Sequence, residues 1–247
     1  MEVTVIPFNE VEVVDKIYTA CRTCYAEGTP QDQYKLTQEE MTGAVGWEKK
    51  WKLINHVISS GHHSTLEHAS FTFLISGVSR ALSHQLVRHR IGVSFSQQSQ
   101  RYCRFDNGFE FVTPYTIAKD TEALYKFNEA MNYLNNAYQI LLDCGIPAED
   151  ARMVLPNACC TNLTVTLNLR ALIHLANERL CTCAQTEIRE LTRKMVMLII
   201  NQLPELKEYL APKCHQLGYC PEDSRRTCGR RPLRKQALQE VYILSEE

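Results

Sequence analysis

Apolar positions along the chain change period several times, and those changes set out its elements. Residues 3–7 (VTVIP) read as a short edge strand, whereas 11–26 carry apolar side chains at helical spacing. A second helix is predicted over 47–59 and stops at Ser60-Gly61, where a glycine suits the C-terminal cap. The Phe/Thr alternation of 70–75 (SFTFLI) is that of a half-buried strand. Ser79 caps a helix running to about Arg90, with Leu82 and Leu86 four residues apart and Gln85, Arg88 and His89 together on another face. Residues 109–112 read as a strand and Pro114 as a break. Residues 117–143 read as one long amphipathic helix or two, ending at Gly145-Ile146-Pro147. Residues 163–167 are strand-like, and 168–179 and 187–203 helical. No repeat, low-complexity tract or flexible linker intervenes, so a single α+β domain is expected.

Composition narrows the class. The 247 residues suffice for a substantial core, and 45% hydrophobic with 22% charged residues is the balance of a soluble globular protein. A net charge of -1 argues against a protein that coats nucleic acid or an anionic membrane. The apolar runs are shorter than a membrane span, and Met1-Glu2-Val3 starts no signal peptide. Eleven cysteines, an odd number, then suggest reduced thiols in the cytoplasm.

Three clusters carry the candidate chemistry. Arg88-His89-Arg90 opens a segment that turns to Ser and Gln and reaches Ser99, Arg101 and Tyr102 in SFSQQSQRY. An anion-binding surface followed by neutral donors and acceptors suits a ligand with both phosphate and a polar heterocycle. Alone, such a triplet on a helix more often faces solvent. The second cluster is 61–68 (GHHSTLEH), where Ser64 or Thr65 caps a turn and Glu67 reaches back to backbone amides. Its three histidines and a glutamate lack the helical HExxH spacing of a metal site. The third is 145–185, with Arg152 ahead of Pro156 and with Asn168, Arg170, His174 and Arg179 on one helix. Arg170 and His174 are one turn apart, and Asn168 and Arg179 are separated by roughly 16 Å at 1.5 Å per residue, the scale of a dinucleotide.

With these motifs in order, the chain resembles the flavin-dependent thymidylate synthases over 50–190. That family's signature is RHR, seven residues, then Ser; here eight residues separate Arg90 from Ser99, the extra one near Ile91-Gly92-Val93. The GHHSTLEH stretch, ARMVLP, TLNLRAL and Arg179 also match in order and spacing. The resemblance implies an α+β fold with a mixed or antiparallel sheet flanked by long helices. It places a flavin- and dUMP-binding body at 1–212 and a Cys- and Arg-rich extension of the same domain at 213–247. It implies reductive methylation of dUMP to dTMP, with FAD as redox cofactor, methylenetetrahydrofolate as carbon donor and NADPH as reductant. Hydride then passes from reduced flavin to the uracil ring with no enzyme nucleophile. Arg179 and Ser99 take the catalytic positions, Arg179 as the fixed cation that polarises the ring. Gln85, Arg88, Ser99, Gln100, Arg101, Arg152 and Arg179 match dUMP-binding positions. Ser64, Arg88, His89, Arg90, Gln97, Asn168, Arg170 and His174 match FAD-binding ones, Gln98 being the other choice for Gln97. His62 matches a position near flavin and folate. A cytoplasmic homotetramer with shared active sites is implied, with no metal, nucleic acid or membrane.

Two other readings stay open. Lys213-Cys214-His215 is similar to the Pro-Cys-His signature of cysteine-nucleophile thymidylate synthases, and a thiolate at Cys214 is capable of adding to a uracil ring. None of the surrounding pattern of that family accompanies it. Residues 213–235 also hold Cys214, His215, Cys220 and Cys228 among Arg225, Arg226, Arg230, Arg231, Arg234 and Lys235, a possible zinc-organised nucleic-acid contact. The spacing C-x5-C-x7-C lacks close CxxC pairs, so reduced thiols on a surface extension are preferred. Cys21 and Cys24 read as a buried pair, and Cys159, Cys160, Cys181 and Cys183 as packing residues.

Overall fold

The computed structural model describes residues 1–39 and 42–238. Its first half runs β1 (Glu2–Val5), α1 (Glu10–Tyr25), α2 (Pro30–Glu39), α3 (Gly43–Ser59), a 3₁₀ turn (His63–His68), β2 (Ser70–Ser79), α4 (Arg80–Leu86) and β3 (Val93–Gln97). The second half runs α5 (Tyr115–Ala118), α6 (Thr121–Asp143), α7 (Ala148–Ala151), β4 (Cys160–Asn168), α8 (Leu169–Arg179), α9 (Thr186–Ile200) and α10 (Lys213–Leu217).

The sheet is antiparallel throughout, in the order β1-β2-β4-β3, which makes it an α+β fold and puts β1 at an edge as expected. Alternation sorts its two faces. Phe71, Phe73 and Ile75 of β2 and Leu163, Val165 and Leu167 of β4 enter one core with apolar residues of α1, α3, α4, α8 and α9. Thr164, Ser94 and Ser96 take the other face, which is open, with Leu74 45% exposed among them. A buried Lys50–Asp15 ion pair at 2.5 Å ties α3 to α1. The long helix α6 packs through small clusters around Met131 and Tyr138, separate from the main core. Its outer face leaves Tyr125, Tyr133 and Ile140 exposed. In 211–238, Cys220 alone is buried.

Several expectations change. The helix capped by Ser79, whose hydroxyl accepts from Leu82 N at 3.0 Å, ends at Leu86 instead of Arg90, because no apolar position beyond Leu86 faces the core. Arg88 and His89 therefore sit on a turn and share no helical face with Gln85. The Ser/Gln segment, for which no strand was expected, begins with β3: Val93 and Phe95 pack on the core while Ser94 and Ser96 face out. Residues 109–112 form only an isolated bridge, Phe111 to Cys159. Of the two alternatives for 117–143 the structure takes the divided one, broken at Asp120, whose carboxylate caps α6 through Ala123 N. Helix α2 has no counterpart in the sequence reading because its buried positions, Gln33 and Thr37, are polar. Of the Cys21/Cys24 pair, Cys21 is buried and Cys24 is exposed.

Candidate active site

A cavity of about 1010 Å³ lies between the turn after α4, the 61–68 segment and α8. Six residues expected at the cofactor and nucleotide site line it: Arg88, His89, Arg90, Asn168, Arg170 and His174. The local folding that brings them together starts at the end of α4, where His89 N bonds Leu86 O at 3.1 Å and closes a tight turn. The chain then reverses through Gly92, at φ +69°. A Cβ there would come within 2.4 Å of the Asn168 carboxamide, so the site needs glycine for space as well as for backbone angle. Asn168 in turn caps α8 by accepting from Ala171 N at 2.8 Å, and its own N–H bonds Gly92 O at 2.9 Å. From Val93 to Gln97 the strand keeps an unbroken register with β4.

At the far end of α8, Arg179 Nε–H donates to His89 Nε2 at 3.0 Å. Burial, then the Arg179 guanidinium and His174, hold the His89 imidazole down to a pKa of about 4, against a weaker pull from Glu178. His89 is thus neutral at pH 7, its Nδ1 carrying the proton. Among the described residues that Nδ1 has no partner, and neither has the buried carboxamide oxygen of Asn177. Both residues line the cavity. A buried unpaired donor and acceptor, with Arg88 and Arg90 beside them, fit a ligand that presents both anionic and amide-like groups.

The 61–68 segment departs from the capping expectation. Glu67 pairs with Arg170 at 2.6 Å instead of reaching back to the backbone, and no side chain caps the turn. Glu67 and His63 line the cavity, whereas Ser64 and His62 are exposed and His62 stacks edge-on against Tyr25. Several expected site residues lie outside this cavity. Gln97 bonds Ser83 at 3.0 Å and Thr161 at 3.2 Å, Gln98 accepts from Asn162, and Gln85 faces Gln185. Ser99 Oγ accepts from Arg101 N at 3.2 Å, and Gln100 faces Cys159. Arg101 and Arg152 come together elsewhere: Arg101 pairs with the Glu149 carboxylate at 2.9 Å, and Arg152 Nε–H donates to the Glu149 carbonyl at 3.0 Å.

Asn177 and Tyr209 are cavity residues that the sequence reading missed. Asn177 was within reach of it, since 170, 174 and 177 follow i, i+4, i+7 along one helix face. Tyr209 lies beyond α9 and gives no local signal. Cys214 lies away from this cavity, and burial, before neighbouring thiols, pushes its own thiol up, the reverse of what a nucleophile needs.

Comparison with known proteins shows what the chain is similar to. The family model described as "thymidylate synthase complementing protein" matches residues 11–205. A flavin-dependent thymidylate synthase of Nitratidesulfovibrio vulgaris is 45% identical, with 91% of this chain and 93% of that one covered. The Geobacter sulfurreducens protein of the same name is 43% identical, with 91% and 92% covered. The fold is shared with the UMP/dUMP methylase PolB of Streptomyces cacaoi at a TM-score of 0.68, 24% identity and coverage of 84% and 93%. It is shared also with the flavin-dependent thymidylate synthase ThyX of Helicobacter pylori, solved with FAD and dUMP, at a TM-score of 0.64, 25% identity and coverage of 85% and 100%. The chain belongs to the flavin-dependent thymidylate synthase family.

Proposed function

We propose that this chain methylates dUMP reductively to dTMP, with FAD as resident cofactor, methylenetetrahydrofolate as carbon donor and NADPH as reductant. The observation that carries the reading is the cavity in which Arg88-His89-Arg90 meets α8 beside two buried, unpaired polar atoms. FAD, when bound, supplies the hydride that reduces the uracil ring. Arg88 and Arg90 hold its anionic portion, and His89 Nδ1–H and the Asn177 oxygen bind its polar edges. Asn168, Arg170 and His174 complete that wall of the cavity, and Ser64, Gln97 and His62, which lie outside it, contact flavin and folate from other parts of the shared site. Arg179 keeps a permanent charge for the pyrimidine's carbonyl edge, and its contact with His89 orients it. Gln85, Ser99 and Gln100 bind the nucleotide alongside it, Ser99 next to the reacting ring, and Arg88, Arg101 and Arg152 take its phosphate.

Arg101 and Arg152 belong to a group around Glu149, apart from the cavity of Arg88. That separation supports a homotetramer in which different subunits complete each active site. The unpartnered cysteines fit the reducing cytoplasm. The purified protein is expected to be yellow, to release FAD on denaturation, and to convert dUMP to dTMP only with methylenetetrahydrofolate and NADPH. A colourless protein that FAD does not reconstitute overturns the reading. Light scattering should give the mass of four chains, and full activity in a monomer would contradict the shared site.

A further inference from the structure

Five cysteines gather where α8 ends, outside the cavity discussed above. Cys181 and Cys183 follow α8 directly, Cys214 sits in α10, and Cys220 and Cys228 lie in the chain beyond it. A second cavity, of 190 Å³, is lined by Cys181, Cys214, Cys220 and Cys228. The sulfurs of Cys181 and Cys183 and a carboxylate oxygen of Glu222 all lie within 4.8 Å of one another. None of these cysteines is in a disulfide. Cys181 belongs both to the group with Cys183 and Glu222 and to the lining of the cavity, so it joins the two sets of donors.

The packing of 211–238 poses a mechanical question. Its one buried residue is Cys220, which joins none of the hydrophobic clusters among the described residues. The segment nevertheless folds back on itself, with Cys220 N bonded to Pro232 O at 2.7 Å and a bridge from Cys220 to Leu233. Chain with no apolar core of its own needs a cross-link to hold such a shape. Four thiols from separate segments around one small cavity are the soft, tetrahedral donor set of a structural zinc site.

We propose that Cys181, Cys214, Cys220 and Cys228 bind one structural zinc ion that fastens 213–238 to the C-terminal end of α8. Binding releases the four thiol protons to solvent and leaves a net dianion. Lys213, Arg226 and Arg230 bring positive charge to the same cavity, against the carboxylates of Glu178 and Glu222. Cys183 lies beside the site, its S–H donating to Arg226 O at 3.3 Å. His215 is engaged elsewhere: its Nε2 meets Glu208 at 2.6 Å and its Nδ1 faces Arg231. The linear spacing C-x5-C-x7-C hid the site because the fourth ligand, Cys181, comes from the other side of α9. This departs from the expectation of no metal and of packing roles for Cys181. The ion would also steady the helix end that carries Arg179 and Asn177, since Asn177 lines both cavities.

Full-length protein purified without chelator should contain close to one zinc per chain by mass spectrometry. Cys214→Ser and Cys220→Ser should lose nearly all of it, and Cys24→Ser and His215→Ala should keep it. Cobalt loading of the wild-type chain should give the intense visible and thiolate charge-transfer bands of a tetrahedral sulfur site, a readout that needs no variant to fold. Zinc far below one per chain together with no such cobalt spectrum overturns the proposal. So does zinc that persists in both serine variants, or iron accompanied by acid-labile sulfide, which would make the cysteines a cluster site.

Discussion

Burial and then Arg179 set the electrostatics of His89. The Arg179 Nε–H donates to His89 Nε2, so protonating His89 would break that bond and bury a second cation beside the first. Replacing Arg179 with Ala is expected to retain flavin but to lower turnover of dUMP by about 10²–10³-fold, the scale of losing one preorganised charge at a reacting group. In the same variant His89 should titrate higher than its pKa of about 4, as its imidazole NMR shifts would report. A variant that methylates dUMP normally would remove Arg179 from its assigned role. His89 also couples stability to pH. Its folded pKa lies below the unfolded value of 6.5, so the unfolded chain binds the proton first as pH falls. Its contribution is complete above pH 6.5 and is lost between there and about pH 4, up to about 3 kcal/mol in urea unfolding. His89→Gln should flatten that part of the profile. The Arg88-His89-Arg90 triplet could be singled out in the sequence by its neutral sequel, but the imidazole's neutrality could not, because burial and the Arg179 contact arise only from tertiary folding.

Period governs what could be read of the elements. Strands β2 and β4 and helices α1, α3, α8 and α9 announce themselves because each pays one regular apolar stripe into a single core. Helix α2 has no such stripe, and β3 was obscured by its polar composition although Val93 and Phe95 alternate with Ser94 and Ser96. The end of α4 at Leu86 decides where the RHR triplet points, and that end is set by packing beneath it instead of by helix propensity. The Gly92 turn joins two of these elements, since the residue it abuts is the cap of α8. Gly92→Ala should cost about 2–4 kcal/mol, combining left-handed backbone strain with a disturbed cap. Urea unfolding checks this, and flavin content should fall with stability because Asn168 lines the cavity. A variant as stable as the parent would show that Asn168 moves aside without loss.

Across the whole molecule, sequence order alone assembled the motifs of one family but not their distribution in space. Arg88-His89-Arg90 and the α8 residues converge in one cavity, whereas Arg101 and Arg152 meet at Glu149 on the part of the chain packed against α6. Linear spacing carries no record of such a division, nor of the cysteine that α8 brings to the C-terminal segment. The Arg101–Glu149 pair has a consequence for how nucleotide binding responds to salt. If a phosphate takes Arg101, a carboxylate must leave it, so binding there is an exchange of anions and not the capture of one by a bare cation. Exchange makes affinity less sensitive to ionic strength, and the occupied arginine lowers it somewhat, because a half-exposed pair of this kind is worth about 0–1 kcal/mol. Glu149→Gln should therefore tighten dUMP by a few fold at low salt and steepen the loss of affinity as salt is added, measured by titration calorimetry. Identical affinity and slope in the two proteins would mean that the phosphate never meets Arg101. With the phosphate on Arg101, Glu149 in the unmodified chain would act as a resident competitor, buffering substrate affinity against changes in the ionic medium.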